Sequence, residues 1–294
     1  MNGLIINEEL LQEIELLQSV LKNNVGGAFG GLRRSKSYGS SCEFADYRDY
    51  VEGDDITKID WNVYGRTEKL YQKLYWDERQ MHTRIYIDVS RSMEYGDSRK
   101  AEQAIRLAAA LAYISVCEME KVSVYTVAED GLHEVIGGMV GKEKYLTEIG
   151  KLNEVSFGGE CGISDAVLPS KVGMGDGLSV IISDFLTDND YESAIEHLVG
   201  KKRDVLCIQI LSREEMNPQI RGKMHLFDSE NPERYYRRNI DREIAKAYKA
   251  ALKYTTDRIR EYCEARGSAY ILVNSEERVS EIILSKLVDL GALK

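Results

Sequence analysis

Asp88-Val89-Ser90-Arg91-Ser92 follows the apolar-rich run Thr83-Arg84-Ile85-Tyr86-Ile87 and carries one carboxylate and two hydroxyls at every second position. Along an extended segment, side chains at i, i+2 and i+4 project the same way, so these oxygens can meet at one point above a strand end. Hard oxygens gathered in this way suit Mg²⁺, which takes near-octahedral oxygen ligands at about 2.0–2.1 Å and keeps positions open for waters or a partner's group. With a single carboxylate such an ion stays under-neutralised and attracts another, which is binding chemistry more than catalysis. The plainer alternative is that Ser90 and Ser92 cap a helix while Asp88 accepts backbone N–H groups.

A second carboxylate sharpens the choice. Leu178-Ser-Val-Ile-Ile-Ser183 reads as a buried strand, and Asp184 follows it directly. If the two strands are neighbours, Asp88, Ser90, Ser92 and Asp184 share one crevice. Read alone, Asp184 is better explained as a helix cap, and only its pairing with the first motif makes a shared site an equal reading.

The elements that would position these groups alternate from residue 83 onward. Strands are predicted at 83–88, 122–128, 132–136, 178–183, 204–211 and 269–273. Helices are predicted at 98–120, 142–153, 163–170, 191–200, 241–266 and 276–290, with a hairpin at 223–239. Strands alternating with helices predict right-handed crossovers and a doubly wound, mostly parallel sheet covered on both faces, with ligands at the carboxyl ends of its strands. Ahead of this core, residues 1–25 hold an amphipathic helix with apolar residues at 10, 11, 14, 17 and 21. Residues 26–82 combine a Gly/Ser/Arg-rich stretch with a charged, aromatic block and are read as a small β-rich appendage. In that block Asp54, Asp55, Asp60, Arg48 and Arg66 are expected to form an ion-pair network that fixes the appendage on the core.

Bulk properties narrow the classes. The chain has 294 residues, 43% of them apolar, which suffices for one large α/β domain with appendages. A net charge of −10 disfavours nucleic acid and anionic membranes as partners. Five scattered cysteines without a C-x-x-C pair read as free thiols in a reducing cytosol. No basic segment precedes an apolar stretch at the start, and the longest apolar run, 107–117, is too short for a membrane span, so a cytoplasmic location is expected.

Catalytic motifs are absent from the sequence. Gly137-Gly-Met-Val-Gly-Lys-Glu143 lacks the spacing and the Ser/Thr of a phosphate loop and is read as a turn before a helix. There is no G-x-S-x-G and no H-E-x-x-H, and the four histidines lie far apart. An aspartyl-nucleophile phosphatase would need a second Asp where Ser90 stands.

Taken together, the Asp88-x-Ser90-x-Ser92 strand end, the doubly wound pattern and Ser183-Asp184 resemble a von Willebrand factor A domain with its metal-ion-dependent adhesion site. The preceding block narrows the resemblance. Glu43-Phe44, Tyr47-Arg48-Asp49-Tyr50, Gly53-Asp54-Asp55, Ile59-Asp60-Trp61, Gly65-Arg66-Thr67, Lys73 and Glu78-Arg79 look like the signature of bacterial and archaeal domain-of-unknown-function family fifty-eight. The resemblance implies a von Willebrand A-like fold and a non-enzymatic adaptor working with a MoxR-type AAA+ ATPase in assembling or maturing another complex. By the same resemblance Asp88, Ser90 and Ser92 form the first metal loop and Asp184 the third. The second loop should bring a Thr after a Gly pair, yet this chain reads Gly158-Gly159-Glu160-Cys161, with Ser164 as the nearest substitute. Glu52 and Lys58 also replace the usual Pro and Arg. Two alternatives stay open: a metal-dependent hydrolase using Asp88 and Asp184, and a scaffold whose metal site has decayed.

Overall fold

The structure is a computed structural model that describes residues 4–24, 38–76, 81–94, 99–160, 162–169, 176–186, 190–218, 222–227, 235–240 and 242–287. The chain divides into two compact units, Arg33–Gln80 and the combination of Met1–Leu32 with Met81–Lys294. Helix α1 (Glu8–Asn24) belongs to the larger unit and buries Leu10, Ile14, Leu17 and Leu21 along one stripe, as its 3.6-residue period requires.

In the smaller unit, strand β1 (Tyr38–Asp49) pairs antiparallel with β2 (Tyr71–Trp76), and helix α2 (Trp61–Thr67) lies between them in sequence. Its aspartates act mainly as caps. Asp55 accepts the Thr57 N–H at the start of a 3-10 turn, and Asp60 accepts the Asn62 and Val63 N–H groups at the start of α2. The second Asp60 oxygen takes the Tyr47 hydroxyl at 2.9 Å and the Lys73 ammonium at 3.1 Å. Burial alone would raise the Asp60 carboxyl, but these donors hold it down at about 2. Arg48 and Asp54 form a 2.8 Å pair that is open to water. The expected ion pairs are therefore present in part: Arg48 pairs with Asp54, Asp60 both caps α2 and pairs with Lys73, and Asp55 acts as a cap.

The larger unit is built on β3 (His82–Asp88), helices α3 (Arg91–Glu94) and α4 (Lys100–Cys117), β4 (Lys121–Ala128), β5 (Gly131–Met139), helices α5 (Lys142–Glu148) and α6 (Ile163–Val167), and β6 (Leu178–Ser183). It continues through α7 (Glu192–Gly200), β7 (Asp204–Leu211), α8 (Arg213–Met216), the hairpin β8 (Gly222–Phe227) and β9 (Tyr235–Ile240), α9 (Arg242–Ala265), β10 (Ala269–Asn274) and α10 (Val279–Glu281). Six strands form one sheet in the order β10-β7-β6-β3-β4-β5, parallel except for β5. Strand β3 comes first in sequence yet lies in the middle, so the winding reverses beside it; that is the switch point where open α/β sheets bind ligands.

Alternation along each strand splits the core. Ile85 and Ile87 join α1, α4 and the closing segment on one face, while Tyr86 joins Ile195, Leu198, Ile259 and Cys263 on the other. The Ala-rich α4 is buried along most of its length, because small side chains let it lie close against the sheet.

Two expectations need correction. The Gly137–Glu143 stretch is not one turn: β5 runs through Gly137 and Gly138 to Met139, and its pairing with β4 shifts register between Val122 and Tyr125. The missed signal is that Gly can lie inside a strand where the ladder is irregular. The predicted 276–290 helix is a short α10 followed by a wider π turn, Ile282–Leu287, and its last predicted residues lie outside the described ones.

Candidate functional site

Asp88 ends β3 and Asp184 directly follows β6, and these strands are adjacent and parallel, with Ile87 opposite Ile182. Asp88, Ser90 and Asp184 are almost fully buried, and Ser92 is 7% exposed. The Ser90 and Ser92 hydroxyls stand 3.0 Å apart, but not on the extended segment that was expected: β3 stops at Asp88 and Ser92 lies in α3, so the turn into the helix brings the two together. Asp88 Oδ1 accepts the Ser90 N–H at 2.9 Å, and Oδ2 accepts the Ser183 hydroxyl at 2.6 Å. Ser183 in turn accepts the Phe185 N–H, so one hydroxyl stitches the two strand ends together.

Among the described residues Asp88 has no cationic partner. Burial lifts its carboxyl above the ordinary range against the pull of the Ser183 hydroxyl, and the charge of Asp184 adds to the rise. A buried carboxylate destabilised in this way, beside two hydroxyl oxygens, suits a hard divalent cation. No three carboxylates, thiols or imidazoles gather as a metal cluster among the described residues, so hydroxyls would have to complete such a site.

Asp184 differs. Its Oδ2 lies 2.8 Å from the Lys100 ammonium, which is buried in the first turn of α4 and also bonds Glu215 Oε1 at 2.6 Å. Asp184 Oδ1 accepts the Leu186 N–H, and its carbonyl accepts the Gln209 amide at 2.7 Å. Burial pulls the Lys100 ammonium down, but Asp184 and Glu215 outweigh it, and the pKa moves up. Lys100 stays charged. Glu215 is fixed by a capping box with Ser212 at the start of α8.

The second loop reaches the first through its backbone. Gly158 N–H donates to the Val89 carbonyl at 2.7 Å, and Arg91 N–H donates to the Gly159 carbonyl at 3.0 Å. Gly159 holds φ +78°, where a side chain would be strained. Glu160 is exposed, Cys161 lies outside the described residues, and the Ser164 hydroxyl accepts the Ala194 N–H. Three loops thus converge on Asp88, Ser90, Ser92 and Asp184.

Sequence reasoning missed Lys100 and Glu215, and it named Ser183 beside Asp184 without foreseeing its bond to Asp88. Lys100 did leave a trace: it shares a helical face with Gln103, Ala104, Leu107 and Leu111, where an apolar residue belongs. It also stands at the positive end of a helix dipole, which disfavours a cation unless carboxylates face it.

A six-stranded sheet wound in this order, with an antiparallel edge strand and an Asp-x-Ser-x-Ser loop at its switch point, is a von Willebrand A-like domain. The chain belongs to the family described as "Protein of unknown function DUF58", whose pattern matches residues 46–258. It is 22% identical over 238 residues to the uncharacterized protein Rv1480 of Mycobacterium tuberculosis, covering 79% of this chain and 74% of that protein. The same figures describe the uncharacterized protein Mb1516 of Mycobacterium bovis. Among solved structures it is similar to an aerotolerance-related membrane protein from Bacteroides fragilis, at 15% identity and TM-score 0.38 over 72% of this chain and 98% of that one. It is also similar to the SpRpn10 VWA domain, at 9% identity and TM-score 0.38 over 71% of this chain and 95% of that one. Among the described residues no helix is long and apolar enough to cross a membrane.

Proposed function

We propose that this protein is a non-enzymatic interaction module that receives an acidic side chain of a partner at the crevice between β3 and β6, through Mg²⁺ held by Asp88, Ser90 and Ser92. The observation that carries this reading is the buried Asp88 carboxylate, raised in pKa beside Ser90, whose hydroxyl in turn stands 3.0 Å from that of Ser92, with no cationic partner among the described residues. When bound, the ion would supply a positive charge shared between Asp88 and the incoming carboxylate. Asp184 shapes the site from the neighbouring loop.

The partner suggested by the family resemblance is a MoxR-type AAA+ ATPase in the cytoplasm, with the module serving the assembly or maturation of another complex. Cys117, Cys207 and Cys263 are free thiols, in keeping with a reducing compartment. The competing reading, a scaffold with a decayed metal site, draws support from the exposed Glu160 and from Lys100 on Asp184.

Calorimetry with Mg²⁺ and Mn²⁺ on the wild type and Asp88→Ala separates the two readings. Binding by the wild type that drops at least about tenfold in the variant, roughly 1.4 kcal/mol, supports the metal-dependent module. Equal responses remove the ion. Co-purification from the native host then identifies the ATPase; a preparation in which none travels with the chain removes that partner.

A further inference from the structure

We propose that Lys100 is the resident cation of the third loop: its ammonium permanently neutralises Asp184 and withholds that carboxylate from a divalent ion. Any ion in the crevice is then held from the Asp88–Ser90–Ser92 side alone. The proposal deepens the reading above and rests on it only for the Asp88 side.

The geometry carries it. Lys100 Nζ touches Asp184 Oδ2 at 2.8 Å and Glu215 Oε1 at 2.6 Å, and the lysine side chain is 2% exposed. Moving an ammonium out of water is expensive, and a buried one persists only where carboxylates compensate it. The surroundings make the arrangement rigid. Asp184 is pinned by Leu186 and Gln209, Gln209 is pinned by the Tyr270 hydroxyl at 2.5 Å, and Glu215 is pinned by the Ser212 N–H at 2.7 Å. The two oxygens around Nζ therefore hold their places independently of the lysine.

Charge follows the same logic. Lys100 takes up the Asp184 charge, so the carboxylate left at the crevice is that of Asp88. An ion bound beside Asp88 meets a single unshared carboxylate and keeps its pull on an acidic partner.

The test is thermal unfolding of the full chain in chelator and with Mg²⁺ or Mn²⁺ alone, together with calorimetry. Lys100→Ala should melt below the wild type in chelator, recover on adding either ion, and bind it at least about tenfold more tightly, because two fixed carboxylate oxygens then surround one point without a resident charge. A metal response in Lys100→Ala no greater than that of the wild type overturns the proposal.

Should Lys100→Ala fail to fold, Asp184→Asn keeps the Lys100–Glu215 pair and carries the test. It should bind the ion as the wild type does, and loss of binding as deep as in Asp88→Ala overturns the proposal. A wild type indifferent to metal beside a responsive Lys100→Ala would remove the Mg²⁺ reading while supporting the lysine assignment.

Discussion

An ammonium enclosed by protein depends on the carboxylates facing it, so the Lys100–Asp184–Glu215 group is where single substitutions should matter most. Asp184→Ala leaves Lys100 with only the partly exposed Glu215 and should cost about 3–5 kcal/mol in chemical denaturation, the range for breaking a buried pair. A loss under about 1 kcal/mol would mean that the lysine finds water, as surface pairs do. At this scale the sequence was legible where spacing decides. Asp88, Ser90 and Ser92 were legible as a group because they fall within five consecutive residues, although the turn from β3 into α3, and not an extended two-residue period, is what gathers them. Lys100 and Glu215 approach Asp184 from positions 84 residues before it and 31 after it in chain number, and no local pattern joins them.

Among the elements, α1 shows how far periodicity reaches. Its apolar stripe was readable, but the surface it covers was not, since docking against the core depends on packing between distant segments. Ile14 is fully buried at the centre of that stripe, and Ile14→Ala should destabilise the larger unit by about 2–5 kcal/mol in urea titration. A change below about 1 kcal/mol would show that α1 contributes little to the core. Strands β6 and β7 were legible for a different reason: buried on both faces, they read as Val/Ile/Leu-rich runs bounded by polar residues. The antiparallel direction of β5 follows from its connection, since the two residues between β4 and β5 are far too few for a parallel crossover.

Over the whole molecule, acid sensitivity should arise partly at the end of the sheet opposite the crevice. Burial first, then the charges of Arg84, Lys121 and Arg203, hold the His82 imidazole down at about 3. An unfolded histidine titrates near 6.5, so between those values the unfolded chain binds more protons and stability rises with pH. This contribution is complete above about pH 6.5 and is lost on acidification toward 3. Lowering pH from 7 to 5 should therefore depress the melting temperature more in the wild type than in His82→Gln. The half-buried ring would supply a fraction of the roughly 2 kcal/mol expected of a fully enclosed one over that interval. Identical pH profiles would exclude His82 as the source. The last strand of the sheet, β5, has a further consequence. Its ladder slips against β4, Gly138 adopts φ +55°, and His133 and Glu134 are exposed. A backbone so irregular offers a poor template for an incoming strand, and the protein is thereby protected on that side from growing into a continuous cross-chain ribbon.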